Sequence, residues 1–280
     1  MGYFKEKKTD NDYQLTALYG IESTAPTKAM TICKSQPFLA LPQTKMTLLE
    51  LKLFDIYLGK INPKDSTVTK VVFTKAELCK VLGVERINNE DLKKCLKTLM
   101  SSIVEVKGLT KNGRSRTSLI SLLSVADITY EDAHYGNVAT IELECSERAK
   151  QYIYNVDAVG YLRLNLARVL SFDNRNPYAL FQYLNQNRFR GHWEVDINDL
   201  KEYLGIPGRY SDVKDFERWV LKPCKKEIEE KTDLRFKYEK IRVGRRIQKI
   251  KFQIIKKDID TIDTLMISDD PDDDLWVPFN

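Results

Sequence analysis

Histidine is nearly missing from this chain of 280 residues: His134 and His192 are the only two, 58 residues apart. That scarcity leaves no His-x-His metal site for a tyrosine-based DNA nickase, despite fourteen tyrosines, and gives a Ser-His-Asp triad almost no choice of base. His134, beside Glu131 and Asp132, reads as a loop residue, and His192, next to Trp193, as a strand-edge residue. No loop of the form G-x-x-x-x-G-K-S/T occurs, because Gly59-Lys60 is followed by Ile61 and has no upstream partner glycine, so nucleotide hydrolysis is not expected. The five cysteines (Cys33, Cys79, Cys95, Cys145, Cys224) are odd in number, widely spaced and never in a C-x-x-C pair, which argues against zinc or redox chemistry and for a reducing cytosol. No stretch of eighteen apolar residues exists, and Met1-Gly-Tyr-Phe-Lys-Glu-Lys-Lys carries charge with no apolar core behind it. Neither a membrane span nor a secretory leader is expected, and a cytoplasmic location is.

Charge is present but unevenly placed. Residues 258–280 hold eight aspartates and no Lys or Arg; the remaining 257 residues hold all 45 basic side chains against 32 acidic ones, a net +13. A body that basic suits a polyanionic partner such as nucleic acid. With 42% hydrophobic residues the chain has enough apolar material for one large domain or two ordinary ones.

Residues 1–30 are polar and aperiodic, the pattern of an arm. Leu48 to Leu58 form a dense apolar helix closed by Gly59 and Asn62-Pro63. Val68 to Phe73 alternates as a strand, Thr74 with Glu77 makes a capping box, and the helix that follows stops at Gly83. Asn88 or Asn89 opens a third helix with Leu92, Cys95, Leu96, Leu99 and Ile103 inward. Thr117 to Val125 and Val138 to Glu144 read as strands. The same order then recurs: a helix over Asn176 to Arg190, a strand over Trp193 to Ile197, a helix over Asn198 to Leu204, a long helix over Asp212 to Lys231, and a hairpin turning at Val243-Gly244-Arg245. Even the wording is shared, with Phe73-Thr-Lys-Ala-Glu-Leu-Cys-Lys-Val-Leu-Gly83 set against Val195-Asp-Ile-Asn-Asp-Leu-Lys-Glu-Tyr-Leu-Gly205. Helix, strand, helix, helix, hairpin is the winged-helix order. The expected fold is therefore α+β: two tandem winged-helix domains related by a pseudo-repeat, over 31–155 and 156–257, flanked by the arm 1–30 and an acidic tail 258–280.

On the Asp212 to Lys231 helix, Val213, Phe216, Val220, Cys224 and Ile228 share one side, and Lys214, Arg218, Lys222 and Lys225 fall on another as a basic stripe. Such a rod fits a major groove, with Tyr210 and Ser211 at its start near phosphates or base edges. On an isolated helix the stripe reads first as a solvated face, with Glu217, Glu227, Glu229 and Glu230 making surface ion pairs. The hairpin tips the balance: thirteen Lys or Arg stand against five acids from Lys225 to Lys257, and Arg242, Arg245 and Arg246 cluster at its turn. Pro223 inside the helix predicts a kink or break. The first domain carries a weaker version, Lys93, Lys94 and Lys97 on its third helix and Lys111, Arg114 and Arg116 around Asn112-Gly113, open to either DNA contact or a structural or dimer-forming role. Asp91 with Glu105-Val106-Lys107 formally matches the acid, Glu-x-Lys pattern of metal-dependent nucleases, but Asp91 also suits a helix N-terminus, and no metal or other cofactor is expected.

The stretch Tyr210-Ser-Asp-Val-Lys-Asp-Phe-Glu-Arg-Trp-Val-Leu-Lys-Pro-Cys-Lys-Lys-Glu-Ile-Glu-Glu-Lys-Thr-Asp-Leu-Arg-Phe-Lys-Tyr-Glu resembles the second winged helix of theta-type plasmid replication initiator (Rep) proteins. Thr47-Leu-Leu-Glu-Leu-Lys-Leu-Phe with Lys60-Ile-Asn-Pro63 resembles the start of their first one. The matching positions are Phe216, Arg218, Glu227-Ile228, Thr232, Tyr238, Gly244-Arg245 and Phe252, within a similarity that spans about residues 30 to 257. The resemblance implies a non-enzymatic initiator that binds double-stranded direct repeats (iterons) at a plasmid origin, helps open the duplex and recruits host helicase and primase. It also implies dimers formed through the first domain that repress their own gene. Three positions depart from the family: Glu229 stands where Asn is common, and Glu217 and Trp219 stand where the residue is often basic. The same modules would also serve a winged-helix transcription regulator. The end of the tail, Asp269 to Asn280, resembles the acid-then-apolar peptide of bacterial single-strand-binding proteins, and alternatively reads as a shield for the basic face.

Overall fold

The structure, a computed structural model, describes residues 31–110, 112–256 and 276–277, so the arm 1–30, Lys111 and most of the tail lie outside the described residues. The architecture is the α+β pair of winged helices that the repeat predicts. In the first module, strand β1 (Thr31–Ser35) leads to helix α1 (Leu48–Gly59), strand β2 (Lys70–Thr74), helix α2 (Lys75–Leu82) and helix α3 (Asn89–Ser101). The start of α2 is the expected capping box: the Glu77 N–H donates to Thr74 Oγ1 at 3.1 Å, and the Thr74 N–H donates to Glu77 Oε2 at 2.8 Å. Its end is Gly83, at φ +68°. Asn88 caps α3, which buries Leu92, Cys95, Leu96 and Leu99.

Ile103 corrects the expected stripe. The backbone of Ser102 is already extended and its hydroxyl donates to the Thr98 carbonyl at 2.7 Å, so the helix stops at Ser101 and Ile103 begins a strand, 52% exposed. That strand, β3 (Ile103–Leu109), pairs only with β4 (Ser115–Ser121), and the expected strand from Thr117 to Val125 divides into β4 and β5 (Leu123–Tyr130). The next strand, β6 (Val138–Cys145), lies between β2 and β5, giving the order β2-β6-β5. The second module has the same order in β8 (His192–Asp196), β10 (Arg246–Lys256) and β9 (Leu234–Val243): β8-β10-β9. The equivalence makes β5–β6 the first module's wing, and β3–β4 a ribbon inserted between third helix and wing.

Helix α4 (Glu147–Ile153) closes the first module, and strand β7 (Tyr161–Asn165) and helix α5 (Leu166–Ser171) lead into the second. There α6 (Arg175–Gln186) is followed by β8 and by α7 (Ile197–Tyr203), whose cap is Asp196 accepting the Asn198 N–H at 2.8 Å. The third helix, here α8, runs through Val213–Phe216, a π-helical turn Glu217–Leu221, and Lys222–Lys231. Strand β7 pairs antiparallel with β1 on one side and with the two-residue strand β11 (Trp276–Val277) on the other. Among the described residues no helix is long and apolar enough to cross a membrane.

One continuous apolar core joins the modules, and two polar clusters fix how they meet. Lys34 of β1, Asp55 of α1 and Tyr178 of α6 are fully buried. The Lys34 ammonium donates to Asp55 at 2.7 Å and to the Tyr178 oxygen at 2.8 Å, and the Tyr178 hydroxyl donates to the other Asp55 oxygen at 2.5 Å. Burial pushes the Lys34 pKa down and the Tyr178 pKa well up; beside Lys34, Asp55 pulls the other way. The second cluster is the Arg175 guanidinium. It donates to the carbonyls of Met46 (2.8 Å), Thr44 (3.0 Å) and Pro42 in the first module and Leu204 (2.6 Å) in the second. Gly205, at φ +68°, lies so close that a Cβ there would sit 2.4 Å from the Pro42 carbonyl oxygen. A larger residue would be strained by its backbone and would open the junction.

Removing one member of a buried ion pair leaves the other uncompensated, whereas replacing the whole set by apolar groups of similar shape does not. Asp55→Ala should therefore cost about 3–5 kcal/mol in urea unfolding, and the triple change Lys34→Met, Asp55→Leu, Tyr178→Phe much less. Equal losses for the two proteins would contradict the role given to the triad.

Candidate nucleic-acid interface

The surface of α8 begins with a strained turn. Tyr210 has φ +56°, a left-handed conformation that costs a non-glycine residue roughly 1–2 kcal/mol. The buried Lys201 stabilises it by donating to the Tyr210 carbonyl at 2.8 Å, its ammonium 5.3 Å from the centre of the Phe216 ring. Tyr210 is half-buried and Ser211 exposed. Asp212 then caps the helix by accepting the Lys214 N–H at 2.8 Å.

The kink or break expected at Pro223 takes the form of a π turn just before it. A proline has no N–H to return to the preceding turn, and its ring crowds the carbonyl four residues back. Here the Lys222 N–H reaches the Glu217 carbonyl, five residues back, and the helix continues through Pro223. The extra residue in that turn shifts the downstream face by about 100° relative to a plain helix. Val220 and Leu221 are consequently both buried, along with Phe216, Cys224 and Ile228.

The shift also re-sorts the basic stripe. Lys214, Arg218 and Lys222 are exposed and make no ion pair among the described residues. Lys225 is turned partly inward, where it pairs with Glu229 and lies 5.7 Å from the centre of the Phe236 ring. Glu227, expected on the surface, is buried instead. Its carboxylate accepts the Asp173 N–H at 2.6 Å and the Asn174 side-chain amide at 2.8 Å, docking α8 on the start of α6.

The wing stands beside this helix. Gly244 at φ +63° allows the tight turn with Arg245, and Arg242, Arg245 and Arg246 are all exposed there. Helix and wing are tied through Glu217, which accepts from the Lys240 ammonium at 2.6 Å and from the Tyr238 hydroxyl at 3.1 Å. The Lys240 hydrogen bond holds the Glu217 carboxyl below the usual carboxylate range. Burial, then Glu217, pushes the Tyr238 phenol up to about 12.

In the first module Lys93 and Lys97 are exposed on α3. Arg114 and Arg116 are exposed as well, but on the β3–β4 ribbon rather than on the wing, whose turn contains Glu131 and Asp132. Asp91 lies in the first turn of α3, with Glu105 and Lys107 exposed on β3, and among the described residues no group of three His, Cys, Asp or Glu is placed to hold a metal ion. His134 is exposed in the β5–β6 loop and His192 on the edge strand β8. Trp219, which the sequence marked only as a departure from the family pattern and not as a site residue, is 56% exposed with the Arg218 guanidinium 4.7 Å from its ring centre. The available signal was a large aromatic lying off the buried stripe.

Comparison with known proteins agrees with this architecture. Residues 31–185 match the family described as the initiator replication protein, WH1, and residues 196–254 the one described as the initiator Rep protein, WH2. A replication initiation protein of Escherichia coli is 22% identical over 228 residues, covering 77% of this chain and 67% of that protein. Among solved structures, the Pi initiator protein in complex with iteron DNA aligns with a TM-score of 0.65 at 18% identity, covering 83% of this chain and 99% of that one.

Because the folded-state pKa of Glu217 is lowered, its tie to Lys240 is intact above the ordinary carboxylate range and is lost as pH falls through that lowered value. At neutral pH, Glu217→Ala should speed hydrogen exchange in the outer half of β9–β10 while leaving the strands around Phe236 and Phe252 protected. Unchanged exchange at the wing would contradict the coupling.

Proposed function

The chain belongs to the Rep family of replication initiators, and from that premise we propose that it binds directly repeated double-stranded DNA, the iterons of a plasmid origin, and starts replication there without catalysing a reaction itself. The observation that carries this reading is the set of unpaired cations on α8, Lys214, Arg218 and Lys222, beside the arginine-rich wing. In the proposed complex α8 lies in a major groove. Lys214 and Arg218 donate to base edges, Arg being suited to guanine O6 and N7. Lys222, Arg245 and Arg246 meet phosphates, joined by Lys225 if its pair with Glu229 opens, while Arg242 follows the minor groove or backbone. Tyr210 and Ser211 contact the strand at the start of the helix. The exposed Lys93 and Lys97 give the first module an auxiliary contact, in a second major groove about 34 Å away on the same face of the duplex. Arg114 and Arg116, on their separate ribbon, contact DNA only if it extends beyond that groove.

The domain limits at residues 30, 155 and 257, cytoplasmic location, recruitment of host helicase or primase, and autorepression by a homodimer belong to the same proposal. For the tail the reading is electrostatic. Eight aspartates between the wing and β11 compete with phosphate for the basic surface.

Two measurements test this. Arg218→Ala should cost about 1–3 kcal/mol on repeat DNA and relax specificity at one base pair, whereas Arg245→Ala should weaken all duplexes alike and reduce the salt slope by about 1. Undiminished specific binding by Arg218→Ala would remove it as a base reader. Deleting residues 258–280 should tighten nonspecific binding at low salt and matter little at high salt; unchanged affinity with lost origin firing would make the tail a docking peptide instead.

A further inference from the structure

We propose that Trp219 is a positioning residue for DNA recognition: its indole holds the Arg218 guanidinium in the plane from which it reads a base edge. The inference deepens the reading of α8 as the DNA-contacting helix and rests on it.

Trp219 is out of place as a packing residue. It is 56% exposed, on a helix whose core face is already filled by Phe216, Val220, Leu221, Cys224 and Ile228. A large aromatic left in solvent forgoes the stabilisation of burial. What it has is a cation: Arg218 lies 4.7 Å from the ring centre, within the range of an attractive cation–π contact. No acid pairs with Arg218 among the described residues: Asp215, three residues back on the same face of α8, is exposed and makes no ion pair with it, and Glu217 is engaged by Lys240 and Tyr238 on the wing. Arg218 thus lies against the indole face without being captured by a carboxylate.

Stacking suits an arginine that must read a base. It uses the flat face of the guanidinium, while all five N–H donors lie in the plane and stay available for a bidentate contact. A free arginine loses much side-chain freedom on binding; one already stacked loses less, so the benefit falls on specific contacts that need a fixed plane rather than on phosphate contacts. Trp219 lines a groove of about 880 Å³ between the modules, together with Pro207, Pro223 and Met46.

The test is a double-mutant cycle on full-length protein, with repeat DNA from the plasmid that encodes it and a scrambled duplex of the same length. Trp219→Ala should weaken repeat binding about threefold to tenfold and leave scrambled binding unchanged, Trp219→Phe should recover most of the loss, and Trp219→Ala combined with Arg218→Ala should bind no more weakly than Arg218→Ala alone. Additive losses, equal losses on both duplexes or no recovery with phenylalanine would overturn the proposal. A readout without DNA separates it from the reading beneath it. The Arg218 side-chain NMR signals should be ring-current shifted in the free protein and move to ordinary positions in Trp219→Ala. If they do not move, the positioning role fails even when repeats are bound; if they move but the parent protein prefers no repeat, the DNA reading fails instead.

Discussion

The contact on which the rest of the molecule depends is the buried triad of Lys34, Asp55 and Tyr178. Each member comes from a different element, β1, α1 and α6, and each would be costly to bury without the other two. Apolar packing tolerates small slides between helices. A fully buried ammonium, carboxylate and phenol do not, so the first helix of the second module has one seat on the first module. Arg175 reinforces that seat by collecting carbonyls from both sides. Helix α8 follows through Glu227, whose carboxylate grips the start of α6. The direction in which Lys214, Arg218 and Lys222 face is therefore set by side chains far from them in sequence.

This chain of contacts explains which features were legible beforehand. The capping box and the buried sides of α3 and α8 depend on residues three or four positions apart, and local spacing reveals them: Thr74 with Glu77, Leu92 with Leu96, Phe216 with Val220; the repeat is legible because Gly83 and Gly205 end equivalent helices. The inserted ribbon was hidden, because β3 and β4 differ from a wing only in which strand they pair with. Glu227 falls two turns after Val220, on the buried side of a plain helix, and was hidden because its partners Asp173 and Asn174 are remote in sequence; the fate of Lys225 was hidden for another reason. A projection at constant angle assumes an unbroken helix, and the π turn that accommodates Pro223 rotates everything after it. Trp219 was noticed only as a departure from a family pattern, since its partner is visible in three dimensions alone.

The electrostatics divide along the same lines. Cations that serve structure are buried or paired: Lys34 with Asp55, Lys201 on the Tyr210 carbonyl, Lys231 with Asp173 at 2.6 Å. Lys214, Arg218 and Lys222 on α8 and the arginines at the wing turn make no ion pair among the described residues, whereas Lys226 pairs with Glu230. A surface with uncompensated charge on a rigid support attracts phosphate over a long range and then holds its donors in fixed places, which is what separates repeat recognition from loose association. β11 places residues 276–277 at the edge of β7.

The most direct measurement is a hydroxyl-radical footprint of the full-length protein on its origin repeats. A junction that fixes both modules as one body predicts two protected clusters per repeat, about 10 base pairs apart and on one face of the duplex. Protection confined to a single half-turn, or clusters whose separation varies from repeat to repeat, would contradict it.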